Sequence, residues 1–348
     1  MVQHEKYMRR CLELAALGLG AVSPNPMVGA VVVLDDKIIG EGYHQKYGEA
    51  HAEVNAINQV INKFPNSAEL LQQSTIYVSL EPCAHYGKTP PCADLIIKHQ
   101  IPNVVIGCRD PFAQVDGKGI EKLQAAGVNV TLGILQAECQ WLNRCFFTRV
   151  QKHRPYIILK WAQTPDGFFA PVDNSQFWIT GPEARKLVHQ WRTEEDAILV
   201  GKKTAAIDNP QLNVRYAQGK APKRVVIDRR LELNPDLNLF DQSVETFIFN
   251  EVKTDVDGKN KYIALEDFER YVPQYILFQL YLQDIQSVII EGGAKTLNSF
   301  IEAGLWDEAR IFTGEKELKQ GIKAPAINGH ITGEYLVGVD KLKIIVNQ

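Results

Sequence analysis

At 348 residues the chain is long for one domain, and length alone favours two, each able to bury its own core. A net charge of −3 supplies no basic field to draw it to nucleic acid or anionic lipid, so a small molecule is the expected partner. No apolar signal-peptide core follows Met1 and no apolar run approaches membrane-spanning length, which leads us to expect a soluble, cytoplasmic protein. The six cysteines form no evident disulfide framework. In a reducing compartment they are metal ligands or free thiols, and Cys11, Cys108, Cys139 and Cys145 are assigned to packing or surface positions.

Apolar residues at Met8, Leu12, Ala15, Ala16 and Leu19 recur at helical spacing and predict a helix from about His4 to Gly20. Ser23-Pro24-Asn25-Pro26 cannot continue it, since each proline pushes its predecessor toward extended backbone, so Asn25 is expected in a rigid loop. A strand over Val28 to Leu34, a tight turn at Asp35-Asp36-Lys37 and a strand over Ile38 to Tyr43 make a hairpin. Helical period returns from Ala50 to Ile61, with His51 and Glu53 in its first turn. The β-rich run Thr75 to Leu80 ends at Glu81-Pro82, so Cys83 leaves from a strand end, and a helix is expected over Ala93 to His99. A strand at 104–108, a helix at 119–126, a strand at 128–132 and one last helix from Gln136 to about Val150 complete an alternation that marks an α/β layer. The charged, proline-closed segment 151–155 is the expected boundary between domains at 1–150 and 155–348.

The second half begins with a strand at Tyr156 to Ala162, a turn at Thr164-Pro165-Asp166-Gly167 and a helix from about Gly181 to Arg192. Strands follow at 197–201, 224–228 and, more weakly, 246–250. The polar segment Asp255 to Asn260 reads as a surface loop. Ser287 to Ile290 is a strand running through Glu291-Gly292-Gly293 into a helix that reaches Ala303. Glycine turns at Gly201 and Gly292-Gly293 offer backbone N–H donors of the kind that hold phosphates, without the G-x-G-x-x-G of a standard dinucleotide fold.

Chemistry concentrates in His51-x-Glu53 and in Pro82-Cys83 with Cys92, eight residues separating the two cysteines. A hydrolytic zinc needs ligands that leave one position for water and a separate base to move protons; one imidazole, two thiols and one carboxylate supply both. Residues two apart do not share a helical face, which suits His51 as ligand and Glu53 as proton shuttle. Cys92 at a helix start is expected to gain thiolate character from the unpaired N–H groups there. Taken singly, each of these residues is more often structural. Their order matches the H-x-E then P-C pattern of the zinc deaminases, departing from it in the longer spacer between the cysteines.

On these residues the chain resembles the bifunctional bacterial riboflavin-biosynthesis family, a pyrimidine deaminase fused to a reductase. In the first half the resemblance rests on Asn25-Pro26-x-Val28-Gly29, His44, His51-Ala52-Glu53 and Pro82-Cys83 through Gly87-Lys88-Thr89-Pro90-Pro91-Cys92. In the second it rests on Lys160, Asp166-Gly167, Trp178-Ile179-Thr180, Arg192, Val200-Gly201 to Thr204, Asp208-Asn209-Pro210-x-Leu212-x-Val214-Arg215 and Glu291-Gly292-Gly293. The resemblance implies a cytidine-deaminase-like three-layer α/β/α domain followed by a dihydrofolate-reductase-like α/β domain. It implies hydrolytic deamination of a diaminopyrimidinone carrying ribose 5-phosphate, then NADPH-dependent reduction of the ribosyl group to ribityl. Zinc would be held by His51, Cys83 and Cys92 with Glu53 catalytic, and Asn25, His44, His85 and Lys88 would contact the pyrimidine nucleotide. Lys160, Thr180, Arg192, Asp208, Leu212, Arg215 and Glu291 would line the reductase substrate site. Trp178, Thr204, Asp208, Gly293, Ala294, Lys295 and Thr296 would lie at the NADPH, and a homo-oligomer, dimer or tetramer, is expected.

Three stretches depart from the family pattern: proline at position 165 where leucine is usual, Lys202-Lys203 in place of a small pair, and Gly314 to Ala326. Lys202, Lys203 and Arg229 are candidate cations for the cofactor 2′-phosphate, and the sequence does not choose among them. The competing expectation is a nucleobase or tRNA deaminase with an accessory nucleotide-binding domain, against which stand the acidic balance and the lack of interleaved basic and aromatic residues. A zinc-stapled binding protein would need a fourth protein ligand, for which only His85 or His44 stands nearby.

Overall fold

Asp35 and Asp36 take positive φ (46° and 61°), the left-handed pair that a two-residue hairpin turn needs, and they join β1 (Gly29–Leu34) to β2 (Lys37–Tyr43). The computed structural model that shows this describes every residue except Met1, 87–89, Asn174, Gln176 and Gln348, and the side chain of Val2. The chain separates into two compact units, Met1–His153 and Arg154–Gln348.

In the first unit β1 pairs antiparallel with β3 (Thr75–Leu80), and β3, β4 (Asn103–Cys108) and β5 (Asn129–Leu132) run parallel, giving the order β2-β1-β3-β4-β5. Side chains alternate across a strand, and both faces of this sheet are covered. Ala30, Val32, Ile76, Val78, Val104 and Ile106 face α2 (Ala52–Lys63), α4 (Cys92–Lys98) and α5 (Lys118–Ala125). Val31, Val33, Tyr77 and Val105 face α1 (Val2–Ala16), which brings Tyr7, Met8, Cys11 and Leu14 to that core. A short α3 (Ser67–Leu71) precedes β3. The result is the three-layer α/β/α arrangement. All six cysteines are free thiols, and Cys11, Cys108 and Cys139 are core packing residues as expected.

The single helix expected over 136–150 is two, α6 (Gln136–Leu142) and α7 (Arg144–Lys152), broken at Asn143. The cause is a side-chain amide that acts as a strand partner: Asn143 Oδ1 accepts the Met27 N–H at 2.7 Å and its Nδ2 donates to the Met27 carbonyl at 2.8 Å. Met27 lies next to the Asn25 loop, so this bond pair fixes the approach of that loop to β1.

The second unit is built on a ten-stranded sheet. Its parallel centre is β10 (Thr246–Asn250), β9 (Lys223–Ile227), β8 (Ala197–Gly201), β13 (Ser287–Ile290), β6 (Tyr156–Gln163) and β14 (Glu308–Thr313), in that order. One edge ends in β12 (Asn260–Ala264) and β11 (Asp255–Asp257), the other in β17 (Asp340–Val346) and β16 (His330–Val337). The expected loop at 255–260 is therefore a hairpin turning at Gly258, where φ is 56°. Its first strand, Asp255–Asp257, is exposed on both faces, so no core-facing side marks it. The apolar α10 (Val272–Leu282) and α11 (Ala294–Glu302) cover one face through Ile276, Leu277, Leu280, Leu297 and Phe300. Ile198, Val200, Val226 and Ile248 point to the other, where Leu212 and Leu239 pack. Two further helices, α8 (Pro182–Glu194) and the short α9 (Lys202–Asp208), flank β8 in sequence.

The Thr164–Gly167 turn and the 314–326 stretch, both atypical in sequence, are fastened to each other. Asp166 accepts the Lys319 and Leu318 N–H groups at 2.7 and 3.3 Å, Gly167 O accepts the Ala324 N–H, and β7 (Phe168–Ala170) pairs with β15 (Ile322–Lys323).

Because Asn143 carries two bonds in a buried setting, Asn143→Ala should lower the stability of the first unit by about 2 kcal/mol. An unchanged urea midpoint for that unit would show the bond pair to be dispensable.

Candidate active sites

His51 sits in extended conformation at the start of α2, Cys83 follows the end of β3, and Cys92 opens α4. These three elements bring His51 Nδ1 to 3.3 Å from Cys92 Sγ and 3.7 Å from Cys83 Sγ, and the three donor atoms lie within 4.8 Å of one another. The backbone holds the loop closed, with Ala93 N–H donating to the Cys83 carbonyl and Cys92 N–H donating to Cys83 Sγ at 3.3 Å. Here the structure corrects the expectation for Cys92. The helix-start N–H serves Cys83, whose thiol is drawn down to about 4 by the Cys92 thiol against the cost of burial, with His51 adding to the effect. Cys92 is itself pushed up by its bond to Cys83 and by burial. His51 rises to about 9, chiefly through its bond to Cys83.

Glu53, in the first turn of α2, is buried, and that burial raises its carboxyl to about 7. Among the described residues no fourth His, Cys, Asp or Glu joins the cluster. His44 is near, its ring edge-on to His51 with centroids 5.5 Å apart, but both nitrogens are committed. Nδ1 meets the Ala50 carbonyl at 3.1 Å, which makes it the donor, and Nε2 accepts from Asn25 Nδ2 at 3.1 Å. Asn25 comes from the proline-rich loop, where its N–H bonds Val22 O at 2.9 Å. The His85 ring leans on Phe112 with centroids 6.2 Å apart, and its buried Nδ1 has no partner among the described residues. Lys88 lies outside the described residues. One imidazole and two thiols, with no fourth protein donor among the described residues, is a set that fits a hydrolytic zinc and does not fit a closed four-ligand structural one.

Glu81 is a residue that reading the chain passed over except as a strand end. Its buried carboxylate accepts four backbone N–H groups: Gly119 (3.0 Å) and Ile120 (3.3 Å) on Oε1, Gly117 (3.1 Å) and Asp110 (3.3 Å) on Oε2. It thereby caps α5 and ties the end of β3 to the end of β4, two residues before Cys83. Only a Glu-Pro-Cys run hints at this role in sequence.

In the second unit the strand register decides the site. Ile290 pairs with Leu159 on one side and Leu199 on the other, so Lys160, Glu291 and Val200 stand level on adjacent strands. Arg192 of α8 reaches in, donating from Nη2 to Glu291 Oε2 at 3.0 Å and from Nη1 to the Asn213 carbonyl at 3.1 Å. Burial pushes Lys160 below its ordinary value, opposed by Glu291 and aided by Arg192. Burial would raise Glu291, but Arg192 and then Lys160 more than offset it, and its carboxyl lies below the usual range. Arg192 Nε and Glu291 Oε1 are buried without hydrogen-bond partners among the described residues, so two cations and one carboxylate leave hydrogen-bonding capacity and excess positive charge for a polar ligand. Leu212 is buried at φ 49°, a conformation rare for leucine, in the loop that carries Arg215. Thr180 directly precedes the α8 cap Gly181 and follows Ile179, whose carbonyl abuts Gly314.

The two glycine turns meet. Gly293 N–H donates to Thr204 Oγ1 at 2.9 Å, and a Cβ at Gly201 or Gly292 would fall 2.3 and 2.9 Å from Thr296 side-chain atoms, so both positions must be glycine. Gly293, Ala294, Lys295 and Thr296 form the start of α11. Trp178 is exposed, its ring under the Arg185 guanidinium at 4.5 Å. Asp208 is exposed at the far end of α9 and is not drawn to these turns by any bond among the described residues. Lys202 is paired with Glu232, and Arg229 with Glu251 and Glu269.

Residues 1–108 match the cytidine and deoxycytidylate deaminase zinc-binding region, and residues 155–316 match the RibD C-terminal domain. The riboflavin biosynthesis protein RibD of Aquifex aeolicus is 39% identical over 91% of this chain and 88% of its own, and that of Bacillus amyloliquefaciens 41% identical over 88% and 83%. The chain belongs to the RibD family. The solved deaminase/reductase of Thermotoga maritima superposes over 100% of this chain and 99% of its own with a TM-score of 0.91 at 36% identity, and Acinetobacter baumannii RibD gives 0.89 at 32% over the same shares. Among the described residues no helix is long and apolar enough to cross a membrane.

Glu81→Gln puts an amide N–H₂ against N–H groups that now find an acceptor, at a cost that translates to about tenfold or more in zinc affinity. Zinc loss to a chelator should quicken, and retention equal to the parent protein would show that Cys83 is held in place without Glu81.

Proposed function

We propose that the domain at 1–150, within the first unit, hydrolyses the amino group of 2,5-diamino-6-ribosylamino-4(3H)-pyrimidinone 5′-phosphate and that the domain at 155–348, within the second, reduces the deaminated product with NADPH. The product is 5-amino-6-ribitylamino-uracil 5′-phosphate. The observation that carries the first step is a buried carboxylate, Glu53, beside a three-donor cluster of His51, Cys83 and Cys92.

Zinc held by those three residues supplies a water of lowered pKa when bound. Glu53, with its carboxyl near 7, is poised both to take a proton from the attacking water and to return it to the leaving amine at neutral pH. Water adds its oxygen to the ring carbon and ammonia departs, so the proton Glu53 accepts is the one it gives back. Asn25 and His44 form a fixed hydrogen-bonded pair beside His51 and, with His85 and Lys88, contact the pyrimidine nucleotide.

In the second unit Lys160, Arg192 and Glu291 present charge and open hydrogen-bonding positions to the phosphoribosyl chain, with Thr180, Asp208, Leu212 and Arg215 completing the substrate site. NADPH supplies the hydride when bound. The joined turns at Gly201–Thr204 and Gly293–Thr296, close enough to need glycine, offer backbone N–H groups to its phosphates, with Trp178 and Asp208 at the edge of the same site. Lys203 is the one of the three candidate cations without an ion pair among the described residues and is available to the 2′-phosphate.

A homo-oligomer, dimer or tetramer, is supported by edge strand β16, where Ile331, Tyr335 and Leu336 are exposed. Six free thiols suit a reducing cytoplasm.

Glu53→Gln should retain zinc yet lose about 10²–10⁴-fold in ammonia release, while NADPH oxidation with pre-deaminated substrate persists. Loss of both activities in a folded, zinc-replete variant would overturn the assignment of one reaction to each unit.

A further inference from the structure

His189 is buried on α8, one turn before Arg192, and neither composition nor motif singles it out. Its Nδ1 accepts the backbone N–H of Arg215 at 3.1 Å, and its ring meets Tyr216 edge-on with centroids 4.9 Å apart. Arg192, from the same helix, bonds the Asn213 carbonyl two residues earlier in that loop. Thr193 packs where Gly219 runs at φ 150°, with its side chain 2.6 Å from the position a Cβ would take. Three residues of one helix face therefore lace down the segment 213–219, immediately after Leu212, which is held at positive φ. A non-glycine residue persists in such backbone only where its surroundings over-determine it.

We propose that His189 is a positioning residue of the reductase site, holding the Leu212–Arg215 segment in the conformation that grips the phosphoribosyl substrate by accepting the Arg215 backbone N–H. This rests on the substrate-site assignment of Arg192, Leu212 and Arg215 made above. A backbone N–H offers no second choice of donor, so the tautomer is set with the proton on Nε2. Burial, then Arg192 and Arg215, push the His189 pKa down to about 4, which keeps Nδ1 an acceptor through the neutral range. The bond orients a loop and touches no reacting atom. Its loss therefore weakens substrate binding and leaves hydride transfer in the bound complex alone.

The test compares His189→Asn, whose side-chain oxygen can stand where Nδ1 does, with His189→Phe and His189→Leu, which fill the space and accept nothing. NADPH oxidation is followed on pre-deaminated substrate in the full-length zinc-loaded enzyme, with KM for substrate, KM for NADPH, kcat and the thermal midpoint recorded for each folded variant. The acceptor-free variants should raise substrate KM about tenfold, with kcat and KM for NADPH within about twofold, and His189→Asn should recover most of the loss. Equal rises in both KM values, a fall in kcat alone, an unchanged substrate KM, or no recovery with Asn would each overturn the proposal. Arg215→Met separates it from the reading beneath it. If that variant leaves substrate KM unchanged, the substrate-site assignment fails; if it raises KM while His189→Phe and His189→Leu do not, only the positioning role fails.

Discussion

Parallel strands deliver their carboxyl ends to one edge of the sheet, and both sites depend on that constraint. A strand that ends hands its chain to a helix whose first N–H groups are unpaired, so a row of parallel strand ends is a row of donors facing one edge. In the first unit β3 and β4 end at Leu80 and Cys108, and Glu81, next after β3, fastens the two exits by taking N–H groups from Asp110 and from the start of α5. Cys83 can then be placed against Cys92 and His51 by a short loop. In the second unit the parallel register of β8, β13 and β6 sets Lys160 level with Glu291, and the Gly201 and Gly292 turns that follow β8 and β13 come into contact. No residue in either site is placed by a long flexible connection among those described.

Charge is kept inside both units by close compensation. Across distances of 3.3 to 3.7 Å the His51–Cys83–Cys92 cluster draws Cys83 down and His51 up, so a Cys83 thiolate lies beside a protonated His51, and His51 and the Cys92 thiol give up their protons when a cation binds. Lys160, Arg192 and Glu291 are arranged the other way, with two cations on one carboxylate. Removing either partner of the Arg192–Glu291 pair would strand a buried charge, which costs more than the pair contributes. Such a set is a poor way to stabilise a core and a good way to hold an anionic, hydroxyl-rich ligand. The excess positive charge and the two unpartnered atoms, Arg192 Nε and Glu291 Oε1, are consistent with that use.

The meeting of His51, Cys83 and Cys92 is the most legible part because its spacing is constrained by chemistry: His51-x-Glu53 and Pro82-Cys83 to Cys92 have few other reasons to occur together. Strands β1, β3, β4, β6, β8 and β13 were legible too, since buried parallel strands are short apolar runs bounded by turns. What stayed hidden had no period to show. Helix α10 is apolar nearly all round, with Tyr275, Phe278 and Leu282 exposed, so its hydrophobic stripe is erased. The β11–β12 hairpin failed to register because its first strand is exposed and acidic, although Asp257-Gly258 is the turn signal that marks it. The break at Asn143 and the roles of Glu81 and His189 depend on backbone groups distant in sequence, at Met27, Gly119 and Arg215, and no local pattern carries that information.

The departures from the family pattern in the second half show how a fold absorbs local change. Pro165 lies at the first corner of a turn closed by Gly167 N–H to Thr164 O at 3.0 Å, where proline's fixed φ is favourable, and Gly167 takes φ 84°. Asp166 is then free to accept the N–H groups of Leu318 and Lys319, and the β7–β15 pair extends the same contact. Two atypical stretches thus satisfy each other, and among the described residues none of these bonds runs to Lys160, Arg192 or Glu291. Lys202 is neutralised in the same way by Glu232, which leaves the Gly201 turn with its backbone N–H groups and Thr204 as the features shared with the rest of the site. Sequence divergence is therefore tolerated where a new residue brings its own partner. It is not tolerated at Gly201 and Gly292, where a single added carbon has nowhere to go.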